Sequence, residues 1–357
     1  GTAPYSSIVY QKASENMANM IRKGILRQDK TANLYVYQIE NGSHIQTGVV
    51  GAASLDAYDN NMIKKHELTR PDKEDDRVRQ ILAVNAHTGP IFAVHEQDRE
   101  LVNILAELSA EDPVYSILSF DKAIHRLWVV EETQIIRKIV RCFERLGKLY
   151  IADGHHRSAA ASRVAKEHKK RNKGHTGLEP YNTFLLVSFP SNQVQILDYN
   201  RVVRGLNGLS PSQLIDKIKM SFEVKNSEAQ TRPVSPGSFG MYLDGKWYTL
   251  FWKNKQLSAG FSVADLDVSI LTDNILSLIL RTGNPRTDPR IEFVGGVRGL
   301  EELKTRVDTI GDSVAFSLYP TSVNHLMAVA DASEILPPKT TWFEPKLADG
   351  LVSLLLA

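Results

Sequence analysis

Residues 149–170, LYIADGHHRSAAASRVAKEHKK, set an acid, a glycine, two histidines and an arginine in succession. A short apolar run, Leu149 to Ala152, precedes them, and an alanine-rich helix former follows. A strand that ends in Asp-Gly and turns directly into a helix makes a defined environment. Gly154 lets backbone approach closely, and the helix start offers unpaired N–H groups and the positive end of the dipole. His155, His156 and Arg157 add donors at the same place, and a guanidinium grips two phosphate oxygens at once. Asp153 is the informative residue, because a bare carboxylate repels phosphate. A Mg²⁺ ion shared by carboxylate and phosphate relieves that conflict, as does a substrate hydroxyl whose proton Asp153 accepts. Both belong to phosphoryl transfer. The bland alternative makes Asp153 a helix cap and the histidines braces. Adjacent residues project apart, so His155 and His156 are not expected to share a zinc ion.

Further candidates lie outside this element. KKHELTRPDKEDDR (64–77) concentrates Lys64, Lys65, His66, Glu67, Arg70, Lys73 and Arg77. Read for function, Lys65 and Arg70 grip a phosphorylated donor, and Glu67 or His66 does proton work. Read for structure, the segment is a self-neutralising charged helix. In AIHRLWVVEE (123–132), His125 and Arg126 open a strand as substrate-binding candidates, and Glu131 and Glu132 close it as candidate bases. One of the two glutamates is expected to face the site in partial burial, since strand side chains alternate. ILPPKTTWFEPKLADG (335–350) uses Pro337 and Pro338 to fix extended backbone, which points to Lys339 and Thr341 as phosphate contacts. VGGVRG (294–299) lacks the Lys-Ser/Thr of a P-loop.

These side chains need strands and helices to hold them, and the pattern supplies both. Helices are expected at 14–26, after Pro71 with Asp72 as cap, at 98–110 and at 132–146. Strands are expected at PIFAVHE, HRLWVV, KLYIA, NTFLLVSF and QVQILDYNRVV. Hairpins are expected at Asn41-Gly42 and Asp244-Gly245. LDVSILTDNILSLIL reads as one long apolar helix. The fold class is α+β, with a boundary near 200. Residues 1–200 form an N-terminal domain that carries the motif, and 201–357 form a C-terminal domain that completes the site.

The 357 residues carry a formal net charge of +2, which gives no global drive toward nucleic acid or an acidic membrane. The basic run 166–180 has no interleaved aromatics to stack bases and reads as a solvated face. No apolar run approaches the roughly 20 residues a membrane span needs, and the opening lacks a signal-peptide layout. The single cysteine, Cys142, excludes an intrachain disulfide, fits a cytoplasmic address, and falls on an amphipathic helix where packing is its expected role.

The ordered set IKKHELTRPDKEDDR, HRLWVV, LYIADGHHRSAA and LPPKTTWFEPKLADGL resembles domain-of-unknown-function family 1015 over nearly the whole chain. The Asp153–Arg157 element also resembles that of free serine kinases, which share a fold with ParB and sulfiredoxin. The resemblance implies a ParB/sulfiredoxin-like core around 90–200, a nucleotide at Gly154, His155, His156 and Arg157, and an upstream acid acting on a serine hydroxyl. It implies a small-molecule kinase that converts free L-serine to O-phosphoserine, with ATP, ADP or another phosphoanhydride as donor; the residues themselves point to Mg²⁺ or the acceptor hydroxyl at Asp153. A non-catalytic nucleotide-binding module and a phosphate-ester hydrolase are the alternatives.

Overall fold

The computed structural model describes residues 3–254 and 262–356, and the fold is α+β. The chain divides into two compact units, residues 1–194 with 345–357, and residues 195–344.

The first unit runs α1 (Ser7–Arg22), β1 (Leu34–Asn41), β2 (His44–Ser54), α2 (Leu55–Asp59), β3 (Ile63–Lys64), α3 (Pro71–Val84), β4 (Ala86–His87), β5 (Ile91–His95), α4 (Arg99–Leu108), β6 (Tyr115–Leu118), β7 (Ile124–Val130), α5 (Thr133–Leu146), β8 (Leu149–Asp153), α6 (His155–Arg171) and β9 (Thr183–Pro190). Eight of the strands form a sheet in the order β3-β8-β5-β9-β2-β1-β7-β6, parallel at β3/β8 and β5/β9 and antiparallel elsewhere. Two apolar clusters hold the helices to it. α3 and α6 contribute Ile81, Ala160, Ala161 and Val164 to a cluster with Ile91, Ile151, Phe184 and Leu186. The alanines of α6 let that helix pack closely, which is why an alanine-rich segment follows the polar motif. α4 and α5 contribute Leu101, Leu105, Ile139 and Cys142 to a cluster with Val36, Trp128 and Val130, so Cys142 is a buried free thiol with a packing role.

Local signals shift in small, explicable ways. The first hairpin turns on Gly42 and Ser43, one residue later than expected, because Asn41 pairs with His44 and Gly42 takes the left-handed position at φ 61°. α3 begins at Pro71 itself, with Arg70 in the capping position and Asp72 inside the first turn. Proline at the first helical position lacks only an N–H that would be unbonded there anyway.

The second unit holds a six-stranded antiparallel sheet in the order Phe222–Ser227, Lys246–Trp252, Ser238–Leu243, Ser313–Leu318, Tyr199–Arg204, Ile291–Gly295. The turn at Asp244-Gly245 places both residues at positive φ, as a type I′ hairpin requires. The expected long helix is instead a short one, Asp267–Leu271, that passes into a π-helical turn at Thr272–Ser277. Arg201 is fully buried, donates to the carbonyls of Tyr199 and Lys339, and stacks on Phe293 at 4.7 Å. It thereby holds the proline loop at 337–339.

Candidate functional site

β8 is buried from Tyr150 to Ala152 and ends on Asp153, which emerges at its edge. Gly154 follows at φ 106°, ψ 22°, a left-handed conformation that turns the chain straight into α6. The first α-helical bond runs from Ser158 N–H to Gly154 C=O at 3.0 Å. The first turn of this 17-residue helix therefore presents N–H groups with no acceptor inside the helix.

The side chains of the motif separate. His155 turns inward, 4% exposed, with its ring edge-on to the buried His66 at 4.4 Å and Nδ1 3.8 Å from a Glu67 carboxylate oxygen. Burial drives the His155 pKa down to about 4, against the opposing pull of Asp153. Burial, and then the neighbouring His155, hold His66 well below the usual histidine range. Both rings are thus neutral braces near neutral pH. His156 accepts the Arg70 backbone N–H on Nε2 at 3.0 Å, which places its ring proton on Nδ1.

Asp153 and Arg157 face an open pocket of about 340 Å³, with Lys73, Arg77, Phe92, His156, Lys346, Leu347 and Asp349 in its lining. Four cationic side chains meet two carboxylates there. Lys73 and Arg77 stand four residues apart on α3, hence on one face of the helix. Lys346 Nζ donates to Asp153 Oδ2 at 3.2 Å, and Arg157 Nη1 lies 3.4 Å from Asp349 Oδ1. Burial raises the Asp153 pKa, but the charges of Lys346, Arg157 and His155 outweigh it and hold the carboxyl below its ordinary value.

Lys346 and Asp349 arrive from the far end of the chain. Ala348 N–H donates to Tyr37 Oη at 3.0 Å, and that hydroxyl also bonds His125 Nδ1 at 2.7 Å. Gly350 N–H donates to Thr88 C=O, and a short strand, Leu354–Leu355, pairs with β4. Gly89 makes room for the returning segment, since a Cβ there would meet Asp349 Oδ1 at 1.9 Å.

Asp153, Gly154, His156 and Arg157 line one pocket, while His155 is withdrawn into the core. Several other candidates stand elsewhere. Lys65 folds back over the Tyr58 ring at 4.2 Å and donates to the Tyr58 carbonyl. The Arg70 side chain pairs with Asp72 on the surface, and only its backbone touches the motif. Arg126 is taken up by Glu40 at 2.6 Å and Gln38 at 3.0 Å. His125 reaches the site only through Tyr37. Lys339 and Thr341 belong to the second unit and are not among the lining residues.

The expectation for Glu131 and Glu132 is corrected. Both are exposed at the junction of β7 and α5, and neither lines the pocket. The sheet order sets β1, β2, β9 and β5 between β7 and β8. The alternation argument fails because β7 ends at Val130, one residue before the pair begins.

Lys346, Asp349 and Phe92 are lining residues that the sequence pattern did not assign to the site. The signal for the first two was the polar KLADG run closing on a glycine; Phe92 had none beyond its strand. Among the described residues, no group of three or more His, Cys, Asp or Glu side chains is arranged around a common metal position. Likewise no helix there is long and apolar enough to cross a membrane.

No curated protein matches the chain in sequence. Among solved structures, the chain is similar to SbnI with a C-terminal truncation from Staphylococcus aureus, at 13% identity and TM-score 0.44, covering 86% of this chain and 87% of that one. It is similar to a mutant free serine kinase in complex with ADP, at 14% identity and TM-score 0.40, covering 85% and 90%. A conserved hypothetical protein from Pyrococcus furiosus gives 14% identity and TM-score 0.37, covering 91% and 96%. The family described as protein of unknown function (DUF1015) matches residues 1–269, the greater part of the sequence, and the chain belongs to that family.

Proposed function

We propose that the pocket at the β8–α6 turn is a phosphoryl-transfer site and that the protein is a small-molecule kinase. The observation that carries this reading is the gathering of four cations and two carboxylates, Asp153 and Asp349, at a helix N-terminus. Asp153 and Arg157 flank the turn, with Lys73, Arg77 and Lys346 in the same lining. Cations and helix N–H groups neutralise donor phosphates and stabilise charge that spreads over the transferred phosphoryl. The resemblance of the Asp153–Arg157 element to free serine kinases supplies the acceptor, free L-serine, and the donor, ATP or ADP.

In the transfer, the acceptor hydroxyl oxygen attacks the terminal phosphorus while the bond from phosphorus to the bridging oxygen of the donor breaks. The hydroxyl proton must leave to a base or to water. Asp153, with its lowered pKa, is a better orienter of that hydroxyl than a strong base. His156 has its Nε2 occupied by Arg70 and serves as a donor through Nδ1. Glu67 braces His155. Mg²⁺ fits the lining, because a magnesium ion that keeps water and phosphate ligands needs only one or two carboxylates. Asp153 would hold it, and bound there it supplies positive charge to the phosphates.

A second reading, a nucleotide-binding module without turnover, is favoured by one observation: Lys346 already occupies the Asp153 carboxylate. Purified protein incubated with Mg²⁺, ATP or ADP and pooled amino acids separates the two. A new phosphorylated amino acid by mass, lost in Asp153→Asn with nucleotide binding retained, supports the kinase. Nucleotide binding with no product supports the module, and absence of nucleotide binding rejects both.

A further inference from the structure

Tyr37 on β1 and His125 on β7 belong to the face of the sheet turned away from α4 and α5. Val36, Trp128 and Val130 fill the cluster against those helices. Strand side chains alternate, so Tyr37 and His125 project to the opposite side. The register sets Tyr37 opposite Leu127 and Ile39 opposite His125. That diagonal stacks the two rings, with centroids 5.9 Å apart and planes at 17°. Both side chains are buried, at 2% and 3% exposure, so their polar atoms need partners within the protein.

Those partners form one chain with one direction. The Ala348 N–H can only donate, so Tyr37 Oη accepts it at 3.0 Å and gives its single hydrogen to His125 Nδ1 at 2.7 Å. The ring proton of His125 is thereby placed on Nε2, which meets Ser119 Oγ at 3.3 Å. Ser119 O–H in turn has the Asp121 carboxylate and the Ala123 carbonyl as acceptors. With a backbone donor at one end and pure acceptors at the other, the order cannot run backwards. Burial lowers the His125 pKa against the pull of Asp121, which keeps the ring neutral and Nδ1 free to accept. Every residue of the chain lies in the first unit.

We propose that Tyr37 and His125 are positioning residues for the pocket: the oriented Tyr37 hydroxyl pins residues 346–349 so that Lys346 meets Asp153 and Asp349 meets Arg157. Ala348 stands between the two charged residues, so its amide is where the segment is held between them. The ion pairs alone are poor anchors. The Asp349 side chain is 74% exposed and the Lys346 side chain 44%, and exposed pairs contribute little. Gly350 on the Thr88 carbonyl and the strand Leu354–Leu355 on β4 fix the chain only downstream. The consequence for a phosphate ligand rests on the phosphoryl-transfer reading, whereas the position of the segment does not.

The test uses Tyr37→Phe in the full chain, which keeps the stacked ring and removes only the hydroxyl. Followed by NMR hydrogen exchange without added ligand, the Ala348 amide should exchange about 10-fold faster, the scale of one hydrogen bond. The Gly350 amide, with its own acceptor, should stay within about 2-fold and so report that the fold survives. His125→Leu leaves the Tyr37 hydrogen undirected and should speed Ala348 by about 3-fold. His125→Asn, with an amide oxygen in place of Nδ1, should restore the wild-type rate. A binding cycle then separates positioning from mere support. Asp349→Asn should tighten ADP by about 2- to 5-fold only while Asp349 is held on Arg157, so in Tyr37→Phe the same substitution should change nothing. An unchanged Ala348 rate in Tyr37→Phe overturns the proposal, as does an Asp349→Asn gain that survives Tyr37→Phe. If wild type binds no ADP, the phosphoryl-transfer reading falls and the exchange rates alone decide this one.

Discussion

Lys346 and Asp153 are 193 residues apart in the chain and 3.2 Å apart in the fold. The same returning segment brings the Asp349 carboxylate to Arg157. The anion and the cation that flank the β8–α6 turn are thus each met by an opposite charge from residues 346–349. A phosphate ligand at the proposed site would therefore enter surroundings that are already partly neutralised, and the first two predictions follow from that exchange.

Replacing Lys346 by Met removes the cation beside Asp153 and leaves the burial. The Asp153 pKa should rise, because burial is the largest influence on it and favours the neutral acid. Carboxyl carbon shifts followed through an acid titration will report it. In wild type the charged pair contributes above the ordinary carboxylate range and is lost as pH falls through the lowered pKa; in Lys346→Met that contribution should be missing.

Arg157→Ala and Asp349→Asn should move phosphate-ligand affinity in opposite directions. Loss of the guanidinium should cost about 1.5–3 kcal/mol, the scale of a charge-assisted hydrogen bond. Loss of the competing carboxylate should tighten binding by about 2- to 5-fold, the scale of an exposed ion pair. Calorimetric titration with ADP or inorganic phosphate measures both, and equal affinities in all three proteins would remove Arg157 from the site.

His155, with its pKa pushed down to about 4, makes the fold acid-sensitive in a defined window. The unfolded chain takes up this proton near pH 6.5, whereas the folded one holds it off until about pH 4. Stability should therefore fall as pH drops through that interval, by up to about 1.4 kcal/mol per pH unit for each such group. His87 and His95, also brought to about 4 by burial, add to the slope. Urea unfolding at pH 7 and pH 5 should show a smaller loss in His155→Asn than in wild type.

Gly154→Ala tests the turn itself. At φ 106° an alanine is strained, and its Cβ would sit 3.3 Å from Ile91. The cost should be about 1–2 kcal/mol of stability, read as a lower urea midpoint, with weaker phosphate binding as the α6 N-terminus shifts. A variant as stable as wild type would show that the turn does not need glycine.

Much of this was legible along the chain. The Asp-Gly-His-His-Arg run lies within one strand–turn–helix unit, so local chemistry alone places Asp153 at a strand end, Gly154 in a left-handed turn and Arg157 in the first helical turn. Strand alternation and glycine turns likewise mark the two hairpins, because both are set by neighbours in sequence. Other features depend on strand order and on which face a helix buries, and no local pattern contains either. That is why Glu131 and Glu132, plausible by proximity to a strand end, stand across the sheet from the pocket, and why Lys65 lies over Tyr58 instead of a phosphate. It is also why His155 and His156, adjacent and identical in type, divide into a buried brace and a pocket residue: a helix turns about 100° between neighbours, and tertiary packing, with His155 against His66, sets which is inside. The return of residues 346–349 rests on Tyr37, Thr88 and β4, contacts of very high sequence separation, so the tertiary structure alone completes the lining of the site.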